Sequence, residues 1–288
     1  MEFQWRVQQA RAAKIVYVIG DSRVDWGFGD RLFTQTIKKL YGRDIHAVNA
    51  GLSAGSVRKI TRFILDNHPG KAPGILVINF SPASLYHFRT SPGKAVPNIK
   101  RQDFFDHRIT NYLVEKLFTY GRGAAFLYRH FQEYQKRGYQ RKFGWFSRTL
   151  FSEGFINAKG GNNDGSKRIR DVSFYRRVFH KIRKQEDYYR KRKEETIRVL
   201  REAQMLGWQV ILVRFPIGDK MLKLELELPD LFQPERIAQE LTIQFIDYDA
   251  DPRTADLPSD ESHLFPDSAR EISNILAHDV SQLLVSGS

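Results

Sequence analysis

The amino-acid sequence predicts an α/β protein built on one doubly wound, five-stranded parallel sheet with helices on both faces. Three observations carry that expectation. Five short apolar runs rich in β-branched and aromatic residues each end in a turn-forming or polar residue. Helical spacing fills the intervals between the first three runs. Strand and helix alternate through the first 80 residues, and that rhythm pairs strands in parallel through helical crossovers.

The elements follow in order. Lys14–Gly20 (K-I-V-Y-V-I-G) reads as a buried strand closed by glycine. Phe28 to Leu40 has helical spacing, with Leu32, Thr36 and Leu40 on one side and Phe33 and Ile37 beside them. Ile45–Gly51 makes a second strand. Ser56 to Leu65 is a helix presenting Val57, Ile60 and Ile64, and Ile75–Phe80 is a third strand stopped by Ser81-Pro82. The rhythm resumes with Gln209–Pro216 and Ile243–Tyr248 as strands four and five. Asp267 to Leu284 closes the chain as a helix with Ile272, Ile275, Leu276 and Val280 inward. The stretch between the last two strands gives no element.

Between strands three and four lies a segment too long for a plain connection, about 84–206. It reads as a mostly helical, basic insertion within a single domain spanning 1–288. It contains the polar loop Lys159–Ser166, then one long helix or two in tandem from Phe174 to Leu206, with Ile197, Leu200 and Ala203 inward. The net charge of +13 is concentrated here. Residues 121–201 carry 22 Lys/Arg against 8 Asp/Glu, which leaves the rest of the chain close to neutral. Its basic helices are expected to face outward, because unpaired charges are too costly to bury. Such a face is either a solvated helical surface or a docking surface for an anionic polymer or membrane. Tyr188–Lys193 interleaves tyrosine with cations, a pattern that can stack bases, yet a solvated helix face is the preferred reading and nucleic acid is not expected. The aromatic residues Phe104, Phe105, Tyr112, Phe118 and Tyr120 are expected to pack near the crevice and limit access to it.

Composition excludes several classes. With 41% hydrophobic residues over 288 positions, a sizeable core is available and disorder is not the main state. The absence of cysteine removes disulfides, thiolate metal sites and cysteine nucleophiles together. The eight histidines are scattered without ligand spacing, so neither a metal nor a cofactor is expected. No run approaches the ~18 apolar residues of a membrane span, and the charged start lacks the features of a signal peptide. The chain as written reads as cytoplasmic, with an exported or anchored placement open if its start was trimmed. The oligomeric state is not legible.

Four polar signatures stand at the ends of strands, where doubly wound sheets bind ligands. Gly20-Asp21-Ser22 leaves the first strand; it is either a turn or a place to aim a serine hydroxyl into the crevice. Asn49-Ala50-Gly51 ends the second, as an ordinary turn or as a backbone N–H donor to a developing oxyanion. Asn79 ends the third, a buried amide tying a loop or a second oxyanion donor. Asp260-Glu261-Ser262-His263 precedes the last helix, and aspartate three residues before histidine can hold the imidazole tautomer while the other nitrogen faces a serine.

Taken together, these four blocks resemble those of the SGNH (GDSL) hydrolases, serine esterases and lipases on a flavodoxin-like α/β/α sheet. The resemblance covers about 1–82 and 207–284. It implies Ser22 as nucleophile, His263 as general base and Asp260 as its orienting carboxylate. It further implies an oxyanion hole made by the N–H groups of Ser22 and Gly51 and by the Asn79 side chain. The implied activity is metal-independent hydrolysis of a carboxylic ester, on a small molecule or as an O-acetyl group on a glycan. Acyl transfer to a surface polysaccharide, or a fold kept as a polyanion- or partner-binding module, are the alternatives. Two departures stand out. The family's third block is usually Gly-x-Asn-Asp, and here it reads Val77-Ile78-Asn79-Phe80. After the serine the family often has an apolar residue, and here it is Arg23, which either favours anionic substrates and developing negative charge or pairs at the surface with Asp25. Asp21 and Arg23, on either side of Ser22, are expected to lie near the substrate.

Overall fold

The computed structural model describes residues 14–42, 44–51, 56–68, 72–86, 172–228, 232–259 and 261–286. Strands β1 (Lys14–Gly20), β2 (Ile45–Gly51), β3 (Ile75–Asn79), β4 (Gln209–Arg214) and β5 (Gln244–Asp247) form one sheet in the order β2-β1-β3-β4-β5. Every pairing is parallel. This is the flavodoxin-like order, whose switch point lies between the carboxyl ends of β1 and β3. The helices are α1 (Ser22–Gly27), α2 (Asp30–Tyr41), α3 (Val57–Asn67), α4 (Pro82–Tyr86), α5 (Ser173–Lys184), α6 (Glu186–Met205), α7 (Asp219–Leu226), α8 (Pro234–Leu241) and α9 (Pro266–Ser286).

Alternation along the central strands splits the core into two layers. Val16 and Val18 of β1, Val77 of β3 and Val213 of β4 pack with Val24, Phe33, Ile37 and the α9 residues Ile272, Leu276 and Val280. Tyr17, Ile19, Ile78 and Leu212 face the opposite way, against Ile64, Ile182, Ile197, Leu200, Ala203 and Leu224. Both faces of the sheet are covered, so its central strands are apolar throughout rather than alternating with polar residues. The result is a three-layer α/β/α protein with a five-stranded parallel sheet.

The described part of the basic segment, from residue 172 on, holds two tandem helices that meet at Gln185, whose φ of −128° lies outside the helical range. Helix α6 buries Ile197, Leu200 and Ala203 and serves as a layer of the sheet. Arg176, Arg177, Lys184, Lys191 and Arg198 are exposed, while Arg183, Arg190 and Arg201 pair with Glu227, Glu186 and Glu240. The tyrosine–arginine run is engaged within the fold. Tyr189 is buried, and the Arg192 guanidinium lies 5.2 Å from the centre of the Tyr188 ring and donates to its hydroxyl. Helices α7 and α8 were not anticipated, although Pro234 followed by Glu235 is a helix-start signal. Phe104, Phe105, Tyr112, Phe118, Tyr120 and the loop Lys159–Ser166 lie outside the described residues. No helix among the described residues is long and apolar enough to cross a membrane.

Candidate functional site

The site begins with how β1 ends. Gly20 closes the strand, and Asp21 caps α1 by accepting a hydrogen bond from the Arg23 N–H at 2.9 Å. The second Asp21 oxygen accepts from the Ser81 hydroxyl at 2.7 Å, so the loop after β3 is tied to the same carboxylate. Asp21 is buried and both its oxygens are used, which makes it a cap rather than a group facing substrate. Ser22 is the first residue of α1 and half-buried, with its N–H among the donors a helix start leaves over.

Gly51, at the end of β2, lets α1 lie against the sheet: a Cβ there would meet Asp25 Cα at 2.7 Å and the Val24 carbonyl carbon at 2.8 Å. Its N–H donates to its own strand's Asn49 Oδ1 at 2.9 Å, so the expected oxyanion donor is engaged in this structure. Asn49 Nδ2 donates to the Val24 and Phe28 carbonyls, fixing the far end of α1. The Asn79 side chain passes close to Gly20, with its Cβ 3.2 Å from where a Gly20 side chain would begin. Asn79 is fully buried, and its Oδ1 accepts the Phe215 N–H at 2.9 Å. That bond fixes the amide orientation, because the reversed amide would set donor against donor. It leaves Nδ2 buried and without a partner among the described residues.

His263 arrives from the loop between β5 and α9. Ser259 and Leu264 bridge the base of that loop, and Ser268 Oγ donates to the Pro258 carbonyl at 2.8 Å. The imidazole is buried, and its Nε2 lies 2.8 Å from Ser22 Oγ. Its Nδ1 lies 2.7 Å from the hydroxyl of Ser262, itself buried. With the proton on Nδ1 and donated to Ser262, Nε2 is left as the acceptor for the Ser22 hydroxyl. Asp260 lies outside the described residues. Ser262 was not singled out from the sequence, because serine is common in turns and nothing in residue order marks its contact with the next side chain. Among the described residues no cluster of three or more histidine or carboxylate side chains could hold a metal ion.

Arg23 does not form the expected surface pair with Asp25. It is buried and bonded to Glu225 of α7, 202 residues away, at 2.5 Å. Burial opposes the Arg23 charge, and Glu225 and Asp21 outweigh it, so its pKa is pushed up. Burial pushes the Glu225 carboxyl up against the pull of Arg23 and Arg214. One guanidinium nitrogen and one carboxylate oxygen of this pair have no partner among the described residues.

No protein-family model matches the chain, and no curated protein matches it. Among solved structures, it is similar to a variant of an acetyl xylan esterase from Geobacillus stearothermophilus. That match has 13% identity and a TM-score of 0.43, covering 92% of this chain and 93% of the other. It is also similar to an alpha/beta hydrolase enzyme from the metagenome of Lake Arreo, Spain, at 13% identity and a TM-score of 0.38, covering 93% and 95% respectively.

Proposed function

We propose that the protein is a serine hydrolase that cleaves a carboxylic ester of a small molecule or glycan through an acyl-enzyme. The observation that carries this reading is the 2.8 Å contact between Ser22 Oγ and His263 Nε2 at the carboxyl edge of the sheet, beside its switch point. His263 Nε2 takes the hydroxyl proton as Oγ attacks the acyl carbon, and the carbonyl pair moves onto oxygen. The Ser22 N–H and Asn79 Nδ2 receive that charge; the latter is a buried donor without a partner among the described residues. Gly51 N–H joins them by exchanging Asn49 Oδ1 for the oxyanion. The imidazolium then protonates the departing alkoxide as the ester C–O bond breaks. Water repeats the sequence against the acyl-enzyme, returning the acid and free Ser22. Asp260 is assigned as the carboxylate that orients His263, with Ser262 as the hydroxyl partner of Nδ1.

Hydrolysis of p-nitrophenyl esters from acetyl to palmitoyl tests the reading, with Ser22→Ala as control. Turnover by wild type and none by the variant is expected; equal rates in both reject it. A sugar added to the same assay reports acyl transfer as a new ester in place of free acid.

A further inference from the structure

The Ser22–His263 pair closes a ring of contacts that runs through α7. On one side Arg23, covalently next to Ser22, is bonded to Glu225 near the end of α7. On the other, Glu261, two residues before His263, sits on the start of the same helix. Its carbonyl accepts the Gly218 N–H at 2.9 Å. Its carboxylate accepts the Lys220 N–H at 3.2 Å through Oε2, and Oε1 lies 3.5 Å from Lys220 Nζ. Gly218 is the residue that admits this approach, since a Cβ there would lie 2.8 Å from Glu261 Cα and run into the carboxylate. Glu261 holds a φ of 78°, a left-handed conformation that is unfavourable for a non-glycine residue. The carboxylate also lies at the start of α7, where the helix dipole is positive.

We propose that Glu261 is a positioning residue: its carboxylate clamps the histidine loop onto the start of α7 and so sets the distance between His263 and Ser22. The proposal rests on the hydrolase reading only for its kinetic consequence. The clamp needs an acceptor at the right reach, not a full charge. Glu261→Gln keeps that acceptor and the backbone conformation; Glu261→Gly relieves the backbone and removes the acceptor; Glu261→Asp keeps the charge and shortens the reach.

The test is the second-order rate of Ser22 labelling by a fluorophosphonate across these variants, with kcat and KM for p-nitrophenyl acetate and a thermal midpoint for each. In parallel, ¹⁵N NMR of the His263 ring reports its tautomer and its hydrogen bond to Ser22. Glu261→Gly and Glu261→Asp should label about 10- to 100-fold more slowly, with kcat falling and KM holding, as a misplacement near 1 Å would do. Glu261→Gln should stay within about threefold of wild type. If Glu261→Gly does not fold, the contrast between Gln and Asp carries the same test. Wild-type rates and spectra in Glu261→Gly or Glu261→Asp, or Gln as slow as Asp, overturn the proposal while leaving the hydrolase reading intact. A wild type that never labels rejects the hydrolase reading, and the ring signals then decide the clamp alone: lost in Gly and Asp and kept in Gln supports it, unchanged throughout rejects it.

Discussion

The two segments that meet at the Ser22–His263 contact are held in different ways. Ser22 is fixed by regular structure: a buried strand, a capped helix and a buried ion pair from Arg23 to Glu225. His263 stands on a loop whose shape comes from one bridge, side-chain hydrogen bonds to backbone and a residue in the left-handed region. The first arrangement draws its precision from the core. The second draws it from individual polar contacts, each of which a point substitution can remove. Changes in the buried framework that holds Ser22 should therefore appear in stability as well as in rate, and changes in the histidine loop mainly in rate.

Removing either partner is the largest expected effect. Ser22→Ala and His263→Ala should each lower ester turnover by more than about 10⁴-fold with little change in thermal midpoint, because such groups act as a unit. A further division lies inside the loop. Asp260→Ala should lower kcat by about 10⁴-fold if the carboxylate holds the tautomer, with Ser262→Ala costing far less. The reverse order would make Ser262 the group that orients the ring.

On the serine side, Arg23→Met leaves Glu225 buried without its partner and should cost about 3–5 kcal/mol in denaturant unfolding. The double change to Arg23→Met with Glu225→Leu should recover most of that. The Glu225 carboxyl is already pushed up by burial, and losing Arg23 pushes it further. A carboxyl raised on folding contributes stability when protonated, so the Arg23→Met midpoint should fall as pH rises. A pH-independent loss, unrecovered in the double variant, would show that the pair is not the tie between α1 and α7.

Asn79→Ala should lower kcat by about 10²–10³-fold as an oxyanion donor is lost. It should also cost stability, because the buried Phe215 N–H loses its acceptor. The smallest effect belongs to the stretch leading into the histidine loop. Hydrogen bonds from Arg253 hold the Asp251 carboxyl below its ordinary range. A depressed carboxyl stabilises above its unfolded pKa of ~3.9 and loses that contribution as pH falls through the folded value. Wild type should therefore exceed Asp251→Asn in thermal midpoint near neutrality, with the gap closing in acid.

The same contrast explains what was legible from residue order. The strands were readable because parallel sheets buried on both faces write themselves as unbroken apolar runs, as in Ile15–Ile19 and Val210–Val213. Ser22, Asn79 and His263 were readable because each is a polar residue at the end of such a run or just before a periodic helix. The Arg23–Glu225 pair was not. Glu225 sits in K-L-E-L-E-L, where nothing separates it from its exposed neighbour Glu227, and its burial depends on a residue 202 positions away. Nor was the Gly51 N–H bond to Asn49 Oδ1, because residue order does not say which of several backbone partners an asparagine side chain takes. Glu261 carries no sequence mark for a left-handed backbone, because that conformation is imposed by the α7 start against which it packs.

Site-resolved labelling decides whether His263 activates Ser22. Wild type and His263→Ala are treated with a fluorophosphonate and digested, and the peptide containing Ser22 is weighed. An adduct on Ser22 is expected in wild type and should be nearly absent in His263→Ala. No adduct on Ser22 in wild type, or equal adducts in both proteins, would contradict that activation.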